Sequence, residues 1–219
     1  MTKRPLILAL GVLLAGFGLA CDPVLAQGTA PGAPLPESSP MPHPGIPPTP
    51  PVTGQPTLVP TPGDPVNVDE VTLPGKPAAV LSGQSTWDDG FQSLKNAFRK
   101  IEEELTRAAI APAGRPLAVF VETEDLGFRY DAMIPIPAAP PGRAALTPDV
   151  RFGRTPEGKA FRFVHKDSYE EIDSTYETIE AYLEAKGLSV KSTFIEEYVT
   201  DLSEAQDPNL EVNIFVQPQ

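Results

Sequence analysis

Gly158-Lys159-Ala160-Phe161-Arg162-Phe163-Val164-His165-Lys166-Asp167-Ser168-Tyr169-Glu170-Glu171-Ile172 is the stretch whose reading decides the fold. Ala160 to His165 predicts a strand. Ser168 predicts a helix cap, and Glu171 three residues later completes a capping box. Tyr169, Ile172, Tyr176, Ile179 and Leu183 follow at helical spacing, and Gly187 supplies the stop. Ser192 to Thr200 and Leu210 to Val216 then predict a closing hairpin. The same order occurs upstream. Ala78 to Ser82 predicts a strand, and Thr86 caps a helix with Asp88 and Asp89 in its first turn. Phe91, Leu94, Phe98, Ile101 and Leu105 form its apolar stripe. Leu117 to Glu124 and Phe128 to Ile136 make a hairpin about the Leu126-Gly127 turn, and Pro137 to Pro148 is a loop.

The chain therefore reads strand-helix-strand-strand twice. Thr86-Trp87-Asp88-Asp89 echoes Ser168-Tyr169-Glu170-Glu171, and Phe120-Val121-Glu122 echoes Phe194-Ile195-Glu196. We expect an α+β domain of duplicated βαββ units with pseudo-two-fold symmetry. The helices lie on one side of the sheets, and a ligand groove lies between the halves. This domain is expected over residues 78–219, a length sufficient for one core.

Before it, residues 27–77 contain 16 prolines with few large apolar groups. Such a segment buries too little surface to offset its ordering entropy and is expected to be a disordered, semi-rigid linker, with His43 a solvated linker residue. Residues 1–26 read as an export signal: Lys3 and Arg4, then an apolar run from Leu6 to Ala20, short for a bilayer span. Three fates are open: cleavage after Ala26, lipidation at Cys21, or retention of the segment as an uncleaved anchor, the last two adding a membrane tether. In each case the expected location is the periplasm or cell envelope. Cys21 is the single cysteine, so no intrachain disulfide is available, and a thiolate metal cluster is excluded.

The formal net charge is −12, and from Asp167 to Gln219 there are 13 acidic residues against Lys186 and Lys191. That balance argues against a nucleic-acid partner, which requires Lys and Arg to displace counterions. No metal-ligand spacing, nucleophile-base order or phosphate-cradling loop is visible, so no metal or other cofactor is expected.

Strand alternation sorts the candidate site residues. Leu117, Val119 and Val121 are expected to face the helices, leaving Phe120, Glu122 and Glu124 on the other face. Phe194, Glu196 and Tyr198 share the corresponding face in the second half, opposite Ile195, Glu197 and Val199. Glu122 and Glu196 would then approach one groove from either side. Phe161, Phe163 and His165 on one strand, and Phe128 and Tyr130 on another, are candidates to join them. Rings beside a carboxylate hold a flat or cationic organic molecule, the rings through apolar area and cation–π attraction, the carboxylate as counter-charge. His165 beside a Glu would make an acid–base pair; a hydrogen-bonded structural histidine is the plainer expectation.

The run from Gly158 to Ile172, the Tyr176, Tyr182 and Leu183 helix, and Glu196-Glu197-Tyr198-Val199-Thr200-Asp201 together resemble the GyrI-like small-molecule-binding domain. This is also the effector-binding domain of AraC-type and multidrug-responsive regulators. Asp167 stands where the family pattern has Gly, and Glu197 where an apolar residue is usual. The resemblance implies a duplicated βαββ fold with Glu196 in the pocket and Tyr198 as a wall. It implies a small-molecule-binding protein for apolar or cationic organic ligands. Two alternatives stay open: a hydrolase using a pocket Glu to activate water, and a structural or interaction protein of the envelope.

Overall fold

The computed structural model describes residues 54–219. The export signal, Cys21, His43 and the first part of the proline-rich segment lie outside the described residues. Eight strands form one antiparallel, curled sheet: β1 (Asp69–Pro74), β2 (Pro77–Thr86), β3 (Leu117–Glu124), β4 (Gly127–Pro135), β5 (Arg151–Arg154), β6 (Glu157–Lys166), β7 (Val190–Tyr198) and β8 (Glu211–Pro218). Helix α1 (Gly90–Arg107) follows β2, and α2 (Ile172–Lys186) follows β6 after a 3-10 turn at Tyr169–Glu171.

The strand order is β1-β6-β8-β7-β3-β4-β2-β5. Reading outward from the central β7–β3 pair, each side runs hairpin partner and then the strand that precedes the helix. This is the expected duplication, fused into one continuous sheet. At the seam Phe120 pairs with Phe194, Val119 with Ile195, Ala118 with Glu196 and Leu117 with Glu197.

The helices pack on one face, as their stripes require. Leu94, Phe98, Ile101 and Leu105 of α1 and Ile172, Ile179 and Leu183 of α2 are buried there. They meet Phe120, Phe128, Tyr130, Ile134, Phe163, Tyr198 and Ile214 of the sheet. Two glycines are required by geometry. Gly187 ends α2 with φ +62, and a Cβ on Gly127 would stand 2.2 Å from the Ser85 carbonyl oxygen of the adjoining strand. The helix starts differ from expectation. Thr86 Oγ1 accepts from Asp89 N–H (3.3 Å) in a turn before α1, which begins at Gly90. No Ser168–Glu171 capping box forms, because Tyr169–Glu171 winds into a 3-10 turn before α2.

The other face is also covered, which corrects the expected linker boundary. Leu58 is buried against Leu73, Val80, Leu117, Val119, Ile195 and Phe215. Its N–H donates to Glu197 Oε1 at 2.5 Å, while Arg162 donates to the carbonyls of Thr61 (2.6 Å) and Pro62 (3.2 Å). The strap from residue 54 to 68 then enters β1, which pairs with β6. Prolines forbid much ladder bonding but not an extended chain lying across an apolar face, and Leu58 supplies the buried contact. Strand β5 was likewise not expected. With four residues on an edge it carries too little pattern to read.

Candidate functional site

The faces are the reverse of the expected ones. Phe194, Glu196 and Tyr198 of β7, with Phe120 of β3, point to the helices; Leu117, Val119, Ile195 and Glu197 point to the strap. Alternation fixes which residues share a face but not which face receives the helices. Here both faces are covered, so both sets look apolar.

Glu196 is 1% exposed in the middle of β7. Three phenols converge on it. Tyr176 donates to Oε1 at 2.7 Å, Tyr198 to Oε2 at 2.6 Å and Tyr169 to Oε2 at 3.2 Å. Each comes from a different element: Tyr198 from β7, Tyr169 from the 3-10 turn, Tyr176 from the first turns of α2. Their rings interlock with neighbours. Phe98 of α1 stands edge-on to Tyr198 (5.3 Å between centroids), Phe91 of α1 tilts against Tyr169 (5.3 Å), and Phe194 is edge-on to Tyr176 (5.4 Å). The first half's helix thus completes the box around the second half's carboxylate.

No ion pair among the described residues involves Glu196. Burial pushes its carboxyl above the ordinary 4.5, and the three phenol donors oppose that rise. The phenols are pushed well above their ordinary 10, first by burial and next by the Glu196 charge, so they remain donors. The arrangement is an aromatic box around one buried carboxylate that has no counter-charge among the described residues. Grooves of about 740 and 370 Å³ elsewhere on the surface are lined by other residues.

The remaining sequence-predicted residues separate. Glu122 does not converge with Glu196. A β-bulge lies between Phe120 and Glu122, so Glu122 pairs with Arg129 and makes an exposed ion pair with it at 3.0 Å. Phe120, Phe128 and Tyr130 belong to the first half's core, with Tyr130 Oη 2.8 Å from Ser93 Oγ. Phe163 is buried edge-on to Tyr182 (5.5 Å), beside half-buried Phe161. His165 is buried and has no carboxylate partner. Its Nδ1 meets Thr175 Oγ1 at 2.8 Å and its Nε2 the Ser168 carbonyl at 3.0 Å, so it is a hydrogen-bonded histidine, and the alternative acid–base pair with a Glu does not form. Tyr169 and Tyr176 were read only as stripe residues. Their signal was present: two tyrosines on a buried helical stripe carry hydroxyls that need a buried partner.

Glu197, next along β7, is buried on the opposite face, where Leu58 N–H and Asn213 Nδ2 (3.0 Å) donate to it. Burial pushes its carboxyl up as well, against those two donors and the more distant charges of Lys76 and Arg162.

Residues 66–217 match the family model of the GyrI-like small molecule binding domain. The chain belongs to this family. Its GyrI-like domain is a small-molecule-binding domain. The crystal structure of the EcmrR C-terminal domain is similar, with a TM-score of 0.57 and 13% identity over 69% of this chain and 96% of that one. EcmrR in its complex with DNA aligns with a TM-score of 0.58 and 11% identity over 70% of this chain; only 58% of the longer EcmrR chain is spanned. A hydrolase from Listeria innocua aligns with a TM-score of 0.52 and 11% identity over 75% of this chain and 93% of that one. At these identities the likeness is one of fold. No protein of curated function matches the chain.

Proposed function

We propose that this GyrI-like domain binds a hydrophobic organic cation in the aromatic box, with Glu196 as counter-charge, and that it does so outside the cytoplasm. The carrying observation is the charge of the box. Three phenols donate to a carboxylate that is 1% exposed, and no cation among the described residues pairs with it. A buried carboxylate without a counter-charge is costly, and an incoming cation lowers that cost while the rings supply cation–π attraction and apolar contact. A neutral ligand gains only the apolar part. Entry requires the half-buried rings of Tyr169 and Tyr176 to give way, since both stand on the turn and helix rather than on the sheet.

The extracytoplasmic location is supported by Lys3 and Arg4 followed by the apolar run from Leu6 to Ala20. Secretion of a reporter fused behind residues 1–30, and cleavage after Ala26 against retention of a lipid on Cys21, test it directly.

Calorimetric titration with tetraphenylphosphonium and with neutral triphenylphosphine oxide, similar in shape, tests the site. We expect the cation to bind at least tenfold tighter, and Glu196→Gln to abolish the preference. Equal affinities for the two compounds, or an unchanged preference in Glu196→Gln, overturn it. A panel of ester substrates addresses hydrolysis. Turnover lost in Glu196→Gln would replace the binding reading.

A further inference from the structure

We propose that His165 is a positioning residue that braces Tyr169 and Tyr176 together against Glu196; this rests on the box being the ligand site. His165 is the penultimate residue of β6 and is 3% exposed. Nε2 lies 3.0 Å from the carbonyl oxygen of Ser168, the residue directly before Tyr169. Nδ1 lies 2.8 Å from Thr175 Oγ1, the residue directly before Tyr176. A carbonyl only accepts, so Nε2 carries the proton, and in the neutral ring Nδ1 accepts from the Thr175 hydroxyl. One rigid imidazole thereby fixes two points, the residue that leads into the 3-10 turn and a residue of α2.

Those two segments present the phenols least secured by other means. Tyr198 sits in β7, held by its ladder with β8 and fully buried. Tyr169 and Tyr176 stand on helical backbone that the sheet does not hold, and their rings are half-buried. Ser168, between β6 and the turn, is extended at φ −60, ψ 149, and its side chain makes no cap. The Ser168 carbonyl also accepts from Glu171 N–H at 3.0 Å, so the imidazole and the turn share one anchor atom. Removing the imidazole releases both anchors at once and leaves Tyr198 in place.

The test is local. A phenol donating to a buried carboxylate keeps a slowly exchanging hydroxyl proton, visible downfield in proton NMR and assignable with the three Tyr→Phe variants. In His165→Phe, which keeps the ring volume, we expect the Tyr169 and Tyr176 hydroxyl protons to exchange at least tenfold faster while that of Tyr198 is unchanged. His165→Gln, which restores a donor near Nε2, recovers Tyr169 more than Tyr176. His165→Asn, which restores a group near Nδ1, does the reverse. Thr175→Val cuts one arm without touching the imidazole and accelerates Tyr176 alone. Unchanged hydroxyl exchange in a folded His165→Phe overturns the brace, as does equal acceleration of all three protons. Should His165→Phe fail to fold, Thr175→Val decides: an unmoved Tyr176 proton overturns it. These signals need no ligand, so they stand apart from the cation titration. With tetraphenylphosphonium, His165→Phe is expected to bind about tenfold more weakly; wild-type affinity in that variant with loosened phenols would also overturn the positioning role.

Discussion

The two halves of the sheet follow the same path and bury different chemistry. Between α1 and its strands, Leu94, Phe98, Ile101 and Leu105 meet Phe120, Phe128, Ala132 and Ile134. One hydroxyl there, on Tyr130, is satisfied by Ser93. In the second half the equivalent space holds Glu196 and three phenols. At the seam the contrast is one residue wide, since Ala118 stands directly opposite Glu196. Duplication gives both halves an apolar core, and only the second buries a carboxylate against its helix. The halves remain joined in packing, because Phe91 and Phe98 of the first helix form part of the second half's box.

The largest expected effect tests the first half's core. Ile101 is 0% exposed, and Ile101→Ala should lower the unfolding free energy by about 2–5 kcal/mol in urea denaturation. Cation affinity measured well below the transition should hold. Lost binding with unchanged stability would reverse the assigned roles. Next in size is Tyr198→Phe. It keeps the ring against Phe98 and removes a 2.6 Å bond to a carboxylate, a loss of about 1.5–3 kcal/mol when the acceptor is charged. Because that bond holds the Glu196 carboxyl down, its removal should move the Glu196 titration higher still, read from the carboxyl carbon by NMR.

A third measurement concerns pH. The Glu196 and Glu197 carboxyls both titrate above 4.5 when folded, so the native state holds their protons more tightly than the unfolded chain. Stability should therefore fall as pH rises from 4.5 through the folded values, and level off above them. Glu196→Gln removes one of these two contributions. Its profile should be flatter than wild type over that window, and the variant should be at least as stable at neutral pH. A variant less stable than wild type at neutral pH would mean the box stabilises the charge rather than enduring it.

Most of the architecture was legible because helical stripes and hairpin turns are written in local periodicity. The stripe from Leu94 to Leu105 and the Gly187 stop needed no tertiary information. The edges were not legible. β1 and β5 gain their identity from β6 and β2, and a strap rich in proline looks the same on a sheet as in solvent until Leu58 is seen to be buried. In the site, Glu196, Phe194 and Tyr198 were legible as a cluster, since period two places them together. Their side of the sheet was not, because both faces are covered. Tyr169 and Tyr176 met Glu196 only through packing of α2, which sequence spacing does not specify.

The smallest expected effect separates the two glutamates that the sequence had paired. In a regular strand Glu122 would share the face of Phe120, two residues before it. The ladder instead passes from Phe120 opposite Tyr130 to Glu122 opposite Arg129, so two steps on β3 match one on β4. Val121 is the extra residue, 44% exposed, and it turns Glu122 away from the box. There Glu122 pairs with Arg129 where both side chains are at least half exposed, and such pairs contribute about 0–1 kcal/mol. Glu122→Gln should therefore leave both the denaturation midpoint and tetraphenylphosphonium affinity essentially unmoved, where Glu196→Gln removes the cation preference. A tenfold loss of affinity in Glu122→Gln would instead move the ligand to the 740 Å³ groove that Glu122 lines beside Gln92, Asn96 and Arg129, and the first half would have to be read as the binding half.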